Sequence, residues 1–101
     1  GVIALLWLTT VANFGGPRLV GGDFNSWWGE YWITTMQTQY TDTWQDYTGS
    51  NQNGYTVNNA VRFDYIFRSM DGGWRATPTN VYVPVTSLSD HNPVIADYRV
   101  Q

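Results

Sequence analysis

The order of apolar and polar residues predicts a fold that mixes strands with short helices, of the α+β or α/β type. Residues 61–68 carry apolar side chains at every second position, which is typical of a strand with one buried face. Shorter apolar stretches predict strands at residues 17–21, 81–85 and 93–100. The last begins with Pro93, and the first position of a strand is where proline is tolerated.

Residues 27–39 carry apolar side chains at roughly helical spacing and predict a short helix. Clusters of Gly, Asn, Ser and Thr between the periodic segments predict turns and loops. These remaining segments are an extended or helical connector at 40–44, an exposed loop at 49–59, a turn or hairpin at 70–79 and a loop at 86–90.

The chain opens with a run from Val2 to Phe14 that has no charged residue. A transmembrane helix needs about 20 apolar residues, so the run is too short to cross a membrane. It predicts a helix buried against a sheet and ended by Gly15, Gly16 and Pro17. A secretory signal peptide is the alternative, but no positive charge precedes the run. The abrupt apolar start indicates a cut through a longer protein.

Composition excludes several classes of protein. The 101 residues, 11.5 kDa, allow one domain, and the absence of cysteine excludes a disulfide scaffold or a thiolate zinc site. Charged residues make up 13% and the net charge is −3, which argues against binding nucleic acid through bulk electrostatics. An enzyme that handles phosphates through a bound cation remains open. Aromatic residues make up 17%, enough to suggest either the interior of a larger body or a small protein with an unusually adhesive surface.

The first candidate cluster is Asp23 and Asn25, at the end of a predicted strand behind two glycines. A period of two places both side chains on one side and Phe24 on the other. A carboxylate and an amide held there can orient a water molecule and donate to an oxyanion. The alternative is an Asx turn that only closes the strand.

The second candidate is Asp64, inside an otherwise apolar strand, where an ionised carboxylate is costly unless it is paired. It therefore needs a cation or a strong donor, unless it lies on an exposed face beside Arg62 and Arg68. The third is His91, the single histidine, which follows Asp90 in a predicted loop. Histidine suits acid–base work near neutral pH, although a lone loop histidine is often only a surface residue.

In their order and spacing, these clusters resemble the C-terminal half of the endonuclease/exonuclease/phosphatase superfamily, which includes deoxyribonuclease I. The motifs that carry the resemblance are Gly22-Asp23-Phe24-Asn25, Arg62-Phe63-Asp64-Tyr65-Ile66-Phe67 and Ser89-Asp90-His91-Asn92-Pro93-Val94. Asp42-x-Trp44 and Gly54-Tyr55-Thr56 are lesser similarities.

The resemblance implies an α/β/β/α four-layer sandwich within the α+β class. Residues 1–101 would form the C-terminal portion of that domain, supplying one mixed β-sheet with one or two flanking helices. The absent N-terminal half would supply the principal glutamate metal ligand. Glu30, the single glutamate, follows the first motif and cannot be that ligand. We therefore expect the chain alone to be inactive and to expose an apolar sheet face.

By the same resemblance, the chemistry is hydrolysis of phosphate esters with Mg²⁺, or with Mn²⁺ or Ca²⁺. Asp23 would orient or deprotonate the attacking water, and Asn25 would bind the scissile phosphate. Asp90, with Asp23, would lie in the metal and water shell. His91 would stabilise the transition state, and Asp64 would pair with His91 and fix its tautomer.

The expected substrate is DNA, a phospholipid headgroup or an inositol phosphate. The expected partner is the missing N-terminal half, and no obligate protein partner is evident. Absent cysteine and lysine favour a secreted bacterial enzyme. Two other functions stay open. One is a binding module whose exposed aromatics stack on sugars or bases, and the other is an inactive family derivative that acts as an interaction domain.

Overall fold

A computed structural model describes residues 18–70 and 76–101. Within these ranges the chain forms five strands and two short helices, which confirms the α+β class. The elements are β1 (Leu19–Asp23), α1 (Tyr31–Met36), β2 (Tyr40–Asp42), α2 (Thr43–Thr48), β3 (Asp64–Ser69), β4 (Ala76–Tyr82) and β5 (Ile95–Val100). The helix predicted before Gly15 and the centre of the turn predicted at 70–79 lie outside the described residues.

The described strands form two antiparallel sheets, which corrects the prediction of one mixed sheet. In the larger sheet, β3 lies between β1 and β2 and runs opposite to both. Strands β4 and β5 pair with each other, with an irregular register between Pro78 and Asn80. Proline has no amide hydrogen to donate to the ladder, so an irregularity at this point is expected.

The core lies on one face of the three-stranded sheet. Alternate residues of β3 are buried, as the period of two predicted, and Tyr65 and Phe67 point to this face. They pack with Val20 of β1 and with Ile33 and Met36 of α1. Burying each of these large side chains contributes about 1.5–3 kcal/mol. The opposite, outer face carries Asp23 and Asp64, because cross-strand partners share a face.

Helix α1 is much shorter than the helix predicted at 27–39. Gly29 has a φ of +87°, and Glu30 is extended with a ψ of 161°, so the helix cannot begin before Tyr31. After Met36 the chain continues in tight turns instead of helical hydrogen bonds, with Thr38 N donating to Thr35 O at 3.2 Å. Apolar spacing identified the helix, and backbone conformation determines its length.

Helix α2 follows β2 directly, so the connector predicted at 40–44 is extended in its first part and helical in its second. The Asp42 carboxylate caps the helix by accepting from Trp44 N at 3.2 Å, and Gly49 ends it in the left-handed conformation. The helix contacts both β3 and β4. Thr43 also shares a 2.6 Å hydrogen bond with the hydroxyl of Tyr98, which joins α2 to β5.

The remaining boundaries move by a few residues. β1 ends at Asp23, β4 ends at Tyr82 instead of residue 85, and β5 begins at Ile95 instead of Pro93. In the described parts of the chain, no helix is long and apolar enough to span a membrane.

Candidate active site

Asp23 and Asp64 face each other across two strands. Because β1 and β3 are antiparallel, the end of β1 meets the start of β3, and these two residues are cross-strand partners. Two ionised carboxylates in that position repel each other unless a cation lies beside them. The sheet register therefore creates a place for a positive group at this edge.

His91 supplies that group from the loop before β5. Its neighbour Asn92 donates its backbone N–H to Thr56 O at 2.7 Å, and the Asn92 side chain accepts from Thr86 N at 3.0 Å. The His91 backbone N–H is bound by the Ser89 hydroxyl at 3.1 Å. These contacts hold a loop without regular structure in a defined position.

The imidazole of His91 lies between the two carboxylates. Nδ1 is 2.6 Å from Asp64 Oδ2, and Nε2 is 4.0 Å from Asp23 Oδ2. The hydrogen bond to Asp64, supported by the negative charges of Asp23 and Asp90, raises the pKa of His91 above its ordinary value of 6.5. The protonated imidazole is therefore stabilised relative to that of an unpaired histidine, and Nε2 is directed towards the half-exposed Asp23 carboxylate.

Asn25 is joined to this cluster through Asp23. Its backbone N–H donates to Asp23 Oδ1 at 2.7 Å, so the Asx turn that was the alternative interpretation is present. Asn25 has a φ of +47°, so it is not a continuation of the strand as the period of two predicted. The turn and the cluster nevertheless coexist, since Asp23 uses one oxygen for Asn25 and directs the other towards His91.

Asp90 is not brought into the cluster. Its carboxylate is exposed and accepts from the Ser89 hydroxyl at 3.4 Å. In the described ranges, the group whose ligand atoms lie within 4.8 Å of one another consists of Asp23, Asp64 and His91. Asp90 influences His91 through its charge at a distance. Three of the five predicted site residues thus converge, Asn25 adjoins them, and Asp90 lies apart.

These residues do not form a complete magnesium site. Mg²⁺ requires near-octahedral oxygen coordination, and here Asp64 Oδ2 is engaged by His91, whose protonated form cannot ligate a metal. Among the described residues, Asp23 Oδ2 and Asp64 Oδ1 are the carboxylate oxygens of this group that accept no hydrogen bond. Further oxygen ligands from outside the described residues would be needed.

A cavity of about 660 Å³ opens beside the Asp64–His91 pair. Its other walls are mostly apolar and include Ile66, Pro93 and Val94. Leu88, also on its wall, is 95% exposed. Among the described residues, an apolar surface next to the sheet's outer face is therefore open to solvent.

Sequence reasoning missed three residues that support the site. Thr56 is fully buried, and its hydroxyl accepts from the backbone N–H groups of Phe63 (3.0 Å) and Asp64 (3.2 Å), while its carbonyl binds the His91 loop. Arg62 and Tyr65 flank Asp64 and are buried on the core side. All three lie within the motifs already quoted, but nothing in the sequence distinguishes them from ordinary strand and loop residues.

Comparison with known proteins shows that this chain is similar to part of two longer proteins. No family model matches the chain. Two proteins of Vibrio cholerae serotype O1, from the classical Ogawa and El Tor Inaba strains and each named a UPF0294 protein, are 32% identical to it over 101 residues. The alignment covers 98% of this chain and 33% of each relative, so the chain spans about a third of their length. No solved structure matches.

Proposed function

We propose that these residues form part of a metal-dependent phosphoesterase of the endonuclease/exonuclease/phosphatase type, which hydrolyses phosphate esters with an activated water. The observation that supports this proposal most is the convergence of Asp23, Asp64 and His91. They come from three separate motifs, and the Asp64–His91 hydrogen bond implied by the resemblance is present.

Each residue has a defined task in this proposal. Protonated His91 donates from Nε2 to a non-bridging phosphate oxygen and stabilises the charge that develops as water attacks phosphorus and the ester P–O bond breaks. Asp64 holds the imidazole in position and favours its charged form. Asp23 accepts a hydrogen bond from the attacking water, and Asn25 donates its side-chain amide to the phosphate.

The proposed metal is Mg²⁺, with Mn²⁺ or Ca²⁺ as substitutes. A bound divalent ion would neutralise phosphate charge, which lets a protein of net charge −3 bind an anionic substrate. Asp23, and Asp90 in the adjoining loop, would supply part of its ligands. The remainder, including the principal glutamate, would come from other parts of a longer polypeptide.

A four-layer sandwich is the proposed complete fold. The outer face of the three-stranded sheet bears Leu19, 51% exposed, and Ile66, which lines the open cavity. A second sheet from the rest of a longer polypeptide would cover this face. The matched relatives are about three times as long as this chain, which leaves enough sequence for such a layer. Candidate substrates remain DNA, phospholipid headgroups and inositol phosphates.

The test uses the full-length polypeptide that contains this sequence, assayed on plasmid DNA, a phospholipid and an inositol phosphate with Mg²⁺ and with EDTA. His91→Ala and Asp23→Asn are each expected to lower kcat by about 10²–10³-fold. Asp97→Asn is the matched control, since Asp97 is an exposed carboxylate on β5 away from the cluster.

Two outcomes would contradict the proposal. Full activity in His91→Ala would show that His91 takes no part in the reaction. Metal-independent binding of sugars or single-stranded bases, without hydrolysis, would support the aromatic binding module instead, for which Trp27 and Tyr55, stacked at 6.1 Å, are available. Absence of both hydrolysis and such binding would favour the inactive derivative.

A further inference from the structure

The turn that carries Asn25 has a left-handed backbone conformation. A φ of +47° lies in the left-handed region, which asparagine adopts more readily than other residues with a side chain but which still needs support from its surroundings to be the single conformation. The Asx hydrogen bond from Asn25 N to Asp23 Oδ1 supports the turn from one side. Asn25 itself is exposed, so its own side chain has no packing to hold it.

Tyr65 contacts the residues on both sides of Asn25. Its hydroxyl donates to the carbonyl of Ser26 at 2.8 Å, in a fully buried position. Its ring packs edge-on against Phe24, with ring centres 5.8 Å apart. Burial raises the pKa of the Tyr65 hydroxyl, so it remains protonated and able to donate. Tyr65 thus reaches the turn from the core, while its neighbour Asp64 reaches His91 on the outer face.

Arg62 in turn fixes Tyr65. Its guanidinium carbon lies 4.6 Å from the centre of the Tyr65 ring, a cation–π distance. The guanidinium makes two contacts with Asp42, at 2.9 and 2.8 Å, and a third with Asn51 at 3.2 Å. Arg62 is 1% exposed, and both of its terminal nitrogens are engaged, which fixes the plane of the guanidinium over the ring.

We propose that Tyr65 is a positioning residue that sets the conformation of the Asn25 turn through the Ser26 carbonyl, with Arg62 holding its ring. The catalytic consequence rests on the proposed function, because Asn25 binds the phosphate only there. The conformational effect does not depend on it. Two consecutive residues of β3 therefore organise the two sides of the site. Asp64 positions His91 on the outer face, and Tyr65 positions the Asn25 turn from the core face.

The experiment compares Tyr65→Phe with Tyr98→Phe in the full-length polypeptide. Both variants lose one hydroxyl hydrogen bond, but Tyr98 bonds to Thr43 and does not touch the turn. Tyr65→Phe is expected to change the amide–α-proton coupling of Asn25, which reports φ, and to lower kcat by on the order of 10–100-fold with KM nearly unchanged. Tyr98→Phe should leave both at the parent value.

A parent-like Asn25 coupling in folded Tyr65→Phe would overturn the proposal, and so would an equal loss of kcat in both variants. If Tyr65→Phe does not fold, NMR of the parent decides: a slowly exchanging Tyr65 hydroxyl proton close to Ser26 supports the proposal, and a freely exchanging one overturns it. If the parent hydrolyses no phosphate ester, the proposed function fails, while the Asn25 coupling still tests the positioning role.

Discussion

The carboxylate of Asp64 lies 2.6 Å from Nδ1 of His91, 27 positions further along the chain. This contact explains why a strand that is apolar around it contains a carboxylate, since the imidazolium offsets the cost of placing the charge there. It also fixes the ring, because with Nδ1 engaged, Nε2 is left to face Asp23. The pair accordingly sets both the charge and the direction of His91.

The first prediction concerns the pKa of His91. Asp64→Asn replaces the charge-assisted hydrogen bond that contributes most to the raised pKa with a weaker neutral one, and it also removes the carboxylate charge, so the pKa should fall towards or below 6.5. NMR titration of the imidazole C–H protons measures it directly. Asp23→Asn, which removes a carboxylate 4.0 Å away, should lower the pKa by less. An equal or larger effect of Asp23→Asn would show that the hydrogen bond to Asp64 is not the main cause.

The second prediction follows from the first by linkage. Because the pKa of His91 is higher in the folded than in the unfolded chain, its protonation stabilises the folded state fully below about pH 6.5. That contribution is lost as the pH rises from 6.5 through the folded pKa. Urea unfolding across this window should therefore show a free energy of unfolding that declines with pH. Asp64→Asn should flatten the decline, and an undiminished slope in that variant would contradict the assignment.

The parts of the fold that sequence predicts are those governed by short-range periodicity. The alternation in residues 61–68 identified β3 and its buried face, because a period of two maps directly onto the two faces of a sheet. The Asp64–His91 contact was accessible only through a family resemblance. No periodic pattern relates two residues that a loop and a strand pairing bring together.

Other features depend on distant contacts and could not be predicted. The buried pair of Arg62 and Asp42 joins residues 20 positions apart, and the sequence offered Arg62 only as an exposed neighbour of Asp64. In the sequence Thr56 is an ordinary loop threonine, yet its hydroxyl accepts two backbone hydrogen bonds at the start of β3. The separation into two antiparallel sheets likewise depends on β4 pairing with β5, a choice that strand patterns do not encode.

The third prediction concerns the buried Arg62–Asp42 pair. Asp42→Asn retains the size of the side chain and an acceptor for the Trp44 backbone N–H, but leaves the Arg62 charge buried without compensation. Such a loss should lower the free energy of unfolding by about 3–5 kcal/mol. The control is Asp46→Asn, which breaks the more exposed pair with Arg68 and should cost less than about 1 kcal/mol. Denaturant unfolding of both variants checks the difference, and equal losses would refute it.

The fourth prediction concerns Thr56. Thr56→Val keeps the shape but removes the oxygen that accepts from the backbone N–H groups of Phe63 and Asp64. Orphaned donors of this kind should cost about 1–3 kcal/mol in the free energy of unfolding. Amide hydrogen exchange at Asp64 should also become faster. Thr56→Ser restores the acceptor and should recover most of the loss, and a serine variant as unstable as the valine variant would argue that packing, not hydrogen bonding, is the cause.

The last prediction concerns Gly54, in the loop that leads to Thr56. Gly54 has a φ of +64°, and a Cβ added there would lie 2.6 Å from Cε2 of the Trp44 indole. The ring cannot simply move aside, because its Nε1 donates to Gln52 O at 3.0 Å.

Gly49 has a similar φ of +75° but open space around it. Gly49→Ala should therefore cost only the left-handed strain, about 1–2 kcal/mol. Gly54→Ala should add about 1–3 kcal/mol for the steric conflict with the ring. Denaturant unfolding measures both, and the indole N–H resonance of Trp44 should shift in Gly54→Ala alone; equal destabilisation with an unmoved resonance would show that the loop does not pack on Trp44.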